Sequence, residues 1–286
     1  MTTESFAPET HMGRLELRVR DMERQLAFYT EGVGLEPISD EPGAVTLGHG
    51  GRPIVRLTES KDLRPARRNE AGLFHTAVLY DDPKALARTV VSMANSYADR
   101  YAGTGDHLVS EAFYFTDPEG NGVELYHDRP RDQWTWIDGK VQMDTLYVDP
   151  NEFVNRHLAG VDLATMAPTE ATLGHVHLQV GDLESARGFY VNGLGFDETF
   201  AMPGNALFVS AGGYHHHMAM NVWNSAGAGP RQNTLGMGVV DILVPQSDEL
   251  GRAEERLRHK GFQPTFDGRT MSVLDPWNNE IRLSVG

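Results

Sequence analysis

The sequence predicts an α+β chain of four βαβββ units, paired into two cupped-sheet barrels. Two internal repeats carry that reading. Asp21-Met22-Glu23-Arg24-Gln25-Leu26-Ala27-Phe28-Tyr29, followed by Gly32-Val33-Gly34-Leu35-Glu36, returns as Asp182-Leu183-Glu184-Ser185-Ala186-Arg187-Gly188-Phe189-Tyr190, followed by Gly193-Leu194-Gly195-Phe196-Asp197. A fainter repeat pairs Phe115-Thr116-Asp117-Pro118-Glu119-Gly120-Asn121-Gly122-Val123-Glu124-Leu125 with Val273-Leu274-Asp275-Pro276-Trp277-Asn278-Asn279-Glu280-Ile281-Arg282-Leu283. Each unit reads as a strand, a helix, then two or three strands. A sheet with a helix on one face leaves the other face open, and pairing two units into a cup covers it.

Unit one begins at Gly13. Leu15-Glu16-Leu17-Arg18-Val19 alternates as a half-buried strand, and Asp21 is placed to cap a helix running to Tyr29. Short strands follow at 44–47 and 54–57, divided by His49-Gly50-Gly51. Unit two begins at Gly72 with a strand at 75–80. Asp82-Pro83 opens a helix to about Asn95, and strands at 111–116 and 122–126 flank a turn-rich Asp117-Pro118-Glu119-Gly120-Asn121-Gly122. Residues 131–170 read as a linker carrying a short helix near Pro150–Leu158. Unit three starts at Gly174, ends on a strand at 217–223, and is followed by a Gly/Ala-rich loop at 224–234. Unit four opens on Val239-Val240-Asp241-Ile242-Leu243-Val244, continues in a helix at 248–260, and closes on Ile281-Arg282-Leu283. The expected organisation is an N-terminal domain at 8–130, the linker, and a C-terminal domain at 171–286.

With 286 residues, two ordinary domains fit the length. A net charge of −15 gives no basic footprint for nucleic acid or anionic membrane. The absence of cysteine excludes disulfides, thiolate nucleophiles and thiolate metal sites. No apolar run is long enough to span a bilayer, and Met1-Thr2-Thr3-Glu4-Ser5 lacks signal-peptide character, so a cytoplasmic location is expected.

The Phe-Tyr helix before Gly-Leu-Gly-Phe and the Asp-Pro-x-Gly-Asn turn before a Glu-bearing strand together resemble the vicinal oxygen chelate superfamily, which includes glyoxalase I and the extradiol ring-cleaving dioxygenases. Gly174-His175-Val176-His177-Leu178, Ala211-Gly212-Gly213-Tyr214-His215-His216-His217, and Glu124-Leu125-Tyr126-His127-Asp128-Arg129-Pro130 with Trp134 resemble its short bacterial catechol 2,3-dioxygenases. That resemblance implies Fe(II) held by two His and one Glu, with a catechol and O2 as substrates; Mn(II) fits the same ligands nearly as well. Members of the superfamily often associate, so the resemblance allows a homo-oligomer and leaves the oligomeric state open.

In the superfamily the ligands sit on the first and last strands of a unit. Aligning the repeats puts His75, Glu124 and His175 in these slots of units two and three. Arg14, Val239 (or Gly238, one residue shifted) and Arg282 occupy them in units one and four. A guanidinium has donors and no lone pair to give, so only the first set can bind a metal, as a two-His, one-carboxylate facial triad. Gathering that triad requires unit two to pair with unit three and unit one with unit four. His177, two residues beyond His175 on the same strand face, competes for the ligand role or lines the pocket.

Among the remaining candidates, His216 matches the family's acid–base histidine, a role suited to imidazole near neutral pH. His215 and His217 lie on the opposite face from His216 and stay open as alternatives. The resemblance implies that Tyr114 hydrogen-bonds a substrate hydroxyl, and that Asp106 and His107 belong to a polar loop over the site. Asn221 is read as the counterpart of Glu124 in unit three, where glyoxalase-type sites supply a fourth, usually carboxylate, ligand. Asn is a poor substitute, which favours ring cleavage over a glyoxalase-type lyase or isomerase, or over a non-catalytic binder of small aromatics.

Overall fold

The computed structural model describes residues 5–162 and 170–286. Residues 1–4, in the leader reading, and 163–169, in the linker reading, lie outside the described residues. Unit one comprises β1 (His11–Val19), α1 (Met22–Ala27), β2 (Glu36–Glu41), β3 (Ala44–His49) and β4 (Arg52–Glu59). Unit two comprises β5 (Gly72–Tyr80), α2 (Pro83–Ser96), β6 (Tyr101–Asp106), β7 (Ser110–Thr116) and β8 (Gly122–Asp128). A small hairpin, β9 (Trp136–Ile137) and β10 (Lys140–Val141), precedes α3 (Pro150–Leu158). Unit three comprises β11 (Ala171–Gln179), α4 (Leu183–Phe189), β12 (Asp197–Met202), β13 (Ala206–Ser210) and β14 (Met218–Asn221). Unit four comprises β15 (Gly236–Val244), α5 (Ser247–His259), β16 (Thr265–Phe266), β17 (Thr270–Leu274) and β18 (Glu280–Val285).

The eight strands of one sheet run β16-β17-β18-β15-β1-β4-β3-β2, and those of the other run β12-β13-β14-β11-β5-β8-β7-β6. The first sheet therefore draws on units four and one, the second on units three and two. The seams are antiparallel: β1 against β15 and β5 against β11. Inside each unit the first and last strands are parallel, as between β5 and β8.

The helices begin where their caps dictate. Asp21 accepts the Arg24 N–H, Asp182 accepts that of Ser185, and Asp82 accepts that of Lys84 with Pro83 in the first turn. The Phe-Tyr repeat departs from a plain helix. Phe28–Gly32 and Tyr190–Leu194 wind as π-helical turns, which bury both Tyr rings completely. The Tyr190 hydroxyl donates to Asp275 at 2.9 Å, so the two sequence repeats meet in space. Asp275 in turn accepts the Trp277 and Asn279 N–H groups, just as Asp117 accepts those of Glu119 and Asn121. The turn repeat is thus an Asp-centred backbone clamp. Because Tyr190 belongs to one sheet's unit and Asp275 to the other's, the contact ties the two modules together.

Several strands are additional to the sequence reading, among them the β9–β10 hairpin and two edge strands. β2 and β6 are edge strands, largely solvent-facing, without the apolar alternation that marks a half-buried strand. Among the described residues no helix is long and apolar enough to cross a membrane.

Candidate metal centre

Three adjacent strands, β11, β5 and β8, each deliver one donor to the concave face of the second sheet. Glu124 lies beside Ala77 in the parallel ladder, and His175 lies beside Ala77 from the antiparallel side. His75 sits one strand step from Ala77 on the same face. Ala77 is the small residue between them in the ladder. Nε2 of His75 is 2.9 Å from Glu124 Oε2, Nε2 of His175 is 3.1 Å from the same oxygen, and the two nitrogens are 3.2 Å apart. All three residues are buried. Mutually perpendicular bonds of ~2.1 Å put their donor atoms ~3 Å apart, so this triangle fits one face of an octahedron. His75, Glu124 and His175 together make a group suited to holding a metal ion.

Electrostatics favours the same use. Burial alone would raise the Glu124 carboxyl, but the adjoining His175 and His75 rings hold it well below the ordinary carboxylate range. Burial depresses His175 to about 4 despite the pull of Glu124. The result is one anionic oxygen and neutral imidazole, the protonation that metal ligation needs.

The corresponding face of the first sheet is filled by ion pairs. Arg14 and Arg282 flank Asp241 at 2.9 and 3.5 Å, and Val239 occupies the position that His75 holds in the other sheet. In the second sheet the seam is symmetric about the Thr76–Val176 pair. Glu124 lies beside Ala77, so its counterpart is the neighbour of His177, which is Ala219. This corrects the reading of Asn221 as that counterpart. The glycine-bearing turn before β14 offers no sequence anchor for counting the register. Ala219 has no donor, so the centre has three protein ligands.

Asn221 instead supports His177. The Trp223 N–H donates to the Asn221 side-chain oxygen at 3.2 Å, which turns the amide nitrogen toward His177 Nε2 at 3.0 Å. His177 Nε2 therefore accepts, and its proton resides on Nδ1. His177 lines a cavity of about 1280 Å³ together with His75, Glu124, Tyr114, His107 and His216. Phe74, Phe208 and Trp223 add aromatic walls; the Phe74 ring lies 5.0 Å from that of His177 and 5.2 Å from that of Trp223. These three aromatics were not singled out from the sequence, although Phe74 adjoins His75 and Trp223 lies two residues past Asn221.

Tyr114 stands opposite Glu124 across β7 and β8. Burial, then the Glu124 charge, drives its phenol well above the ordinary value, so it stays protonated. His107 Nδ1 donates to the Asp144 carbonyl at 2.8 Å, leaving Nε2 to accept the Tyr114 O–H at 2.7 Å. Asp106 is not among the residues lining the cavity. Its carboxylate binds Arg129 at 2.7 Å and caps the Leu108 N–H, a residue at φ 66°. It shapes the loop that carries His107. His216 reaches the cavity, with its ring centroid 4.1 Å from that of His175. His215 and His217 do not line it: His215 bonds Asp128 and His216, and His217 accepts the Ala211 N–H.

One glycine is required at the centre. A Cβ on Gly122 would come within 2.2 Å of the Phe74 carbonyl and 2.9 Å of His75 Cβ. Gly122→Ala is expected to weaken metal affinity by about 10- to 100-fold, the usual consequence of disturbing a ligand's support; metal titration beside a thermal melt checks this.

The Glyoxalase/Bleomycin resistance protein/Dioxygenase superfamily model matches residues 11–125 and 172–283. A protein of Bacillus subtilis (strain 168) named catechol-2,3-dioxygenase is 35% identical over 278 residues, covering 95% of this chain and 96% of its own length. Among solved structures, a candidate dioxygenase from Bacillus subtilis subsp. subtilis str. 168 superposes with TM-score 0.65 at 11% identity, over 99% of this chain and 86% of that one. Glyoxalase I from Zea mays gives TM-score 0.57 at 17% identity, over 97% and 92%. These structural likenesses carry the fold, and the family match and the near-full-length relative carry the membership: the chain belongs to the Glyoxalase/Bleomycin resistance protein/Dioxygenase superfamily.

Proposed function

We propose that this protein is an extradiol dioxygenase that opens the ring of catechol or a substituted catechol, using Fe(II) held by His75, Glu124 and His175. The observation that carries the reading is a metal centre with three protein donors and alanine at the fourth candidate position. Such a centre leaves room for two vicinal hydroxyls and for dioxygen, whereas a glyoxalase-type site would spend one of those positions on a carboxylate. The likeness to a protein named catechol-2,3-dioxygenase supports the same substrate class.

Ferrous iron, when bound, supplies Lewis acidity toward the two hydroxyls and one-electron reactivity toward dioxygen. The chain's own residues do the rest. Phe74, Phe208 and Trp223 give an aromatic ring an apolar slot beside the ligands. Tyr114 has committed its proton to His107, so its oxygen is free to accept from a substrate hydroxyl. His216, against His175, takes the hydroxyl proton on entry and returns it to the departing oxygen during cleavage. Both atoms of dioxygen end in the product, so no external reductant is required. We assign the reaction to the cytoplasm, with no nucleic acid or membrane partner.

Metal analysis of anaerobically purified protein, combined with an oxygen-electrode screen of catechols, tests this. The expected result is ferrous iron at one per chain and one dioxygen consumed per catechol, with a yellow ring-opened product. Iron-loaded protein that leaves catechols colourless and oxygen unconsumed would overturn it. Manganese in place of iron, with the same turnover, would change the cofactor and keep the reaction.

A further inference from the structure

A chain of three side chains, two of them buried, leads away from the cavity behind His216. His216 Nδ1 lies 2.7 Å from His215 Nδ1, and His215 Nε2 lies 2.9 Å from Asp128 Oδ1. His215 is completely buried, with its ring packed against Tyr214 at 4.1 Å and Trp134 at 5.3 Å. Its ring is thus shielded from water, while the Asp128 carboxylate at the end of the chain is partly exposed. Asp128 comes from the end of β8, four residues after Glu124 and on the same strand face.

With one proton on each ring, the hydrogen-bond partners set the polarity of this chain. An ionised carboxylate only accepts, so His215 must donate from Nε2 to Asp128. With both rings neutral, His215 Nδ1 is then a bare acceptor. Two nitrogens 2.7 Å apart share one proton, so His216 must supply it from Nδ1. That leaves Nε2 of His216 bare, as a lone pair available to the cavity. The opposite polarity would put a proton on His216 Nε2 and present a donor where the reaction needs an acceptor. It would also aim the lone pair of His215 Nε2 at a carboxylate oxygen, two acceptors face to face beside a buried ring.

We propose that Asp128, acting through His215, is the positioning residue that presents His216 to the substrate as a base. The step it serves is a single proton transfer. The substrate O–H bond breaks, its electron pair stays on oxygen, and the proton bonds His216 Nε2. The resulting imidazolium is then stabilised through His215 by the Asp128 charge. The catalytic part of this inference rests on the dioxygenase reading; the tautomer assignment does not.

The test is nitrogen-15 NMR of the imidazole rings in Zn(II)-substituted protein, a diamagnetic form, with His216→Gln used to identify the His216 signals. Expected in the unaltered chain are His215 protonated at Nε2 and His216 protonated at Nδ1. In Asp128→Asn, where the amide can donate, the His216 proton should move to Nε2. The iron-loaded variant should lose about 10²-fold in kcat, the scale of general-base catalysis, with KM and iron content held, and Asp128→Glu should restore most of it. His216 protonated at Nε2 in the unaltered chain would overturn the proposal. So would an unchanged tautomer and kcat in Asp128→Asn, or a kcat loss that merely tracks lost iron. If the tautomers are as stated and no catechol is consumed, the dioxygenase reading falls and the positioning role stands.

Discussion

Glu124→Ala is expected to yield a folded protein with no stoichiometric metal and no turnover. The carboxylate is the only anionic donor of the centre, and both imidazoles converge on its Oε2. Without it, a divalent cation would meet two neutral rings in a buried, poorly solvated site. Disturbing a mere supporting residue costs about 10- to 100-fold in affinity, so removing a ligand should cost more than ~100-fold. His75→Ala and His175→Ala should behave alike, although they lie 100 residues apart in sequence. Arg282→Ala is the matched control: it occupies the same slot of the other sheet, where it pairs with Asp241 and Glu280. A partly exposed pair of that kind contributes ~1 kcal/mol, and metal content should be unchanged. Elemental analysis and an oxygen electrode check all four. Retention of full metal by Glu124→Ala would sink the assignment of the centre.

The second large effect is expected from His216→Gln. The substitution keeps a polar side chain of similar reach against His175 and Phe208, but removes the ring nitrogen that accepts the proton. The loss should fall on kcat, by about 10²- to 10⁴-fold, with metal content retained. Anaerobic substrate binding, followed by absorbance, should persist. A variant that loses metal and turnover in parallel would make His216 a packing residue of the His175 ring rather than an acid–base group.

Much of the architecture was legible because the chain carries two copies of its own plan. The repeats placed four units, and the contrast of Arg14 with His175 and of Arg282 with Glu124 pointed to one metal face. What escaped has physical reasons. β2 and β6 lie at sheet edges, where solvent on both faces removes the alternation a sequence reader needs. Asn221 was misplaced by two residues because β14 follows a turn of irregular length, and only the ladder sets its register. Asp106 lies two residues from Leu108 at positive φ, and the carboxylate is spent on that turn and on Arg129. His215 is one residue from His216 and on the other face; its burial between Tyr214 and Trp134 cannot be counted from spacing. Asp128 did leave a signal, since residues 124, 126 and 128 of β8 share a face.

The seam between β5 and β11 has a bearing on biosynthesis. A growing chain can complete units one and two and still own neither sheet, because each lacks half of its strands until the C-terminal half arrives. The donor triangle cannot exist before the strand bearing His175 has left the ribosome, and the other sheet waits for β15 to β18. Domains usually fold as units in order of synthesis; here each sheet waits for strands of the later half. Metal capture therefore waits for β11 to be made, and until then the nascent N-terminal half carries β1 and β5 with one edge each unpaired, exposed to whatever else could pair with it.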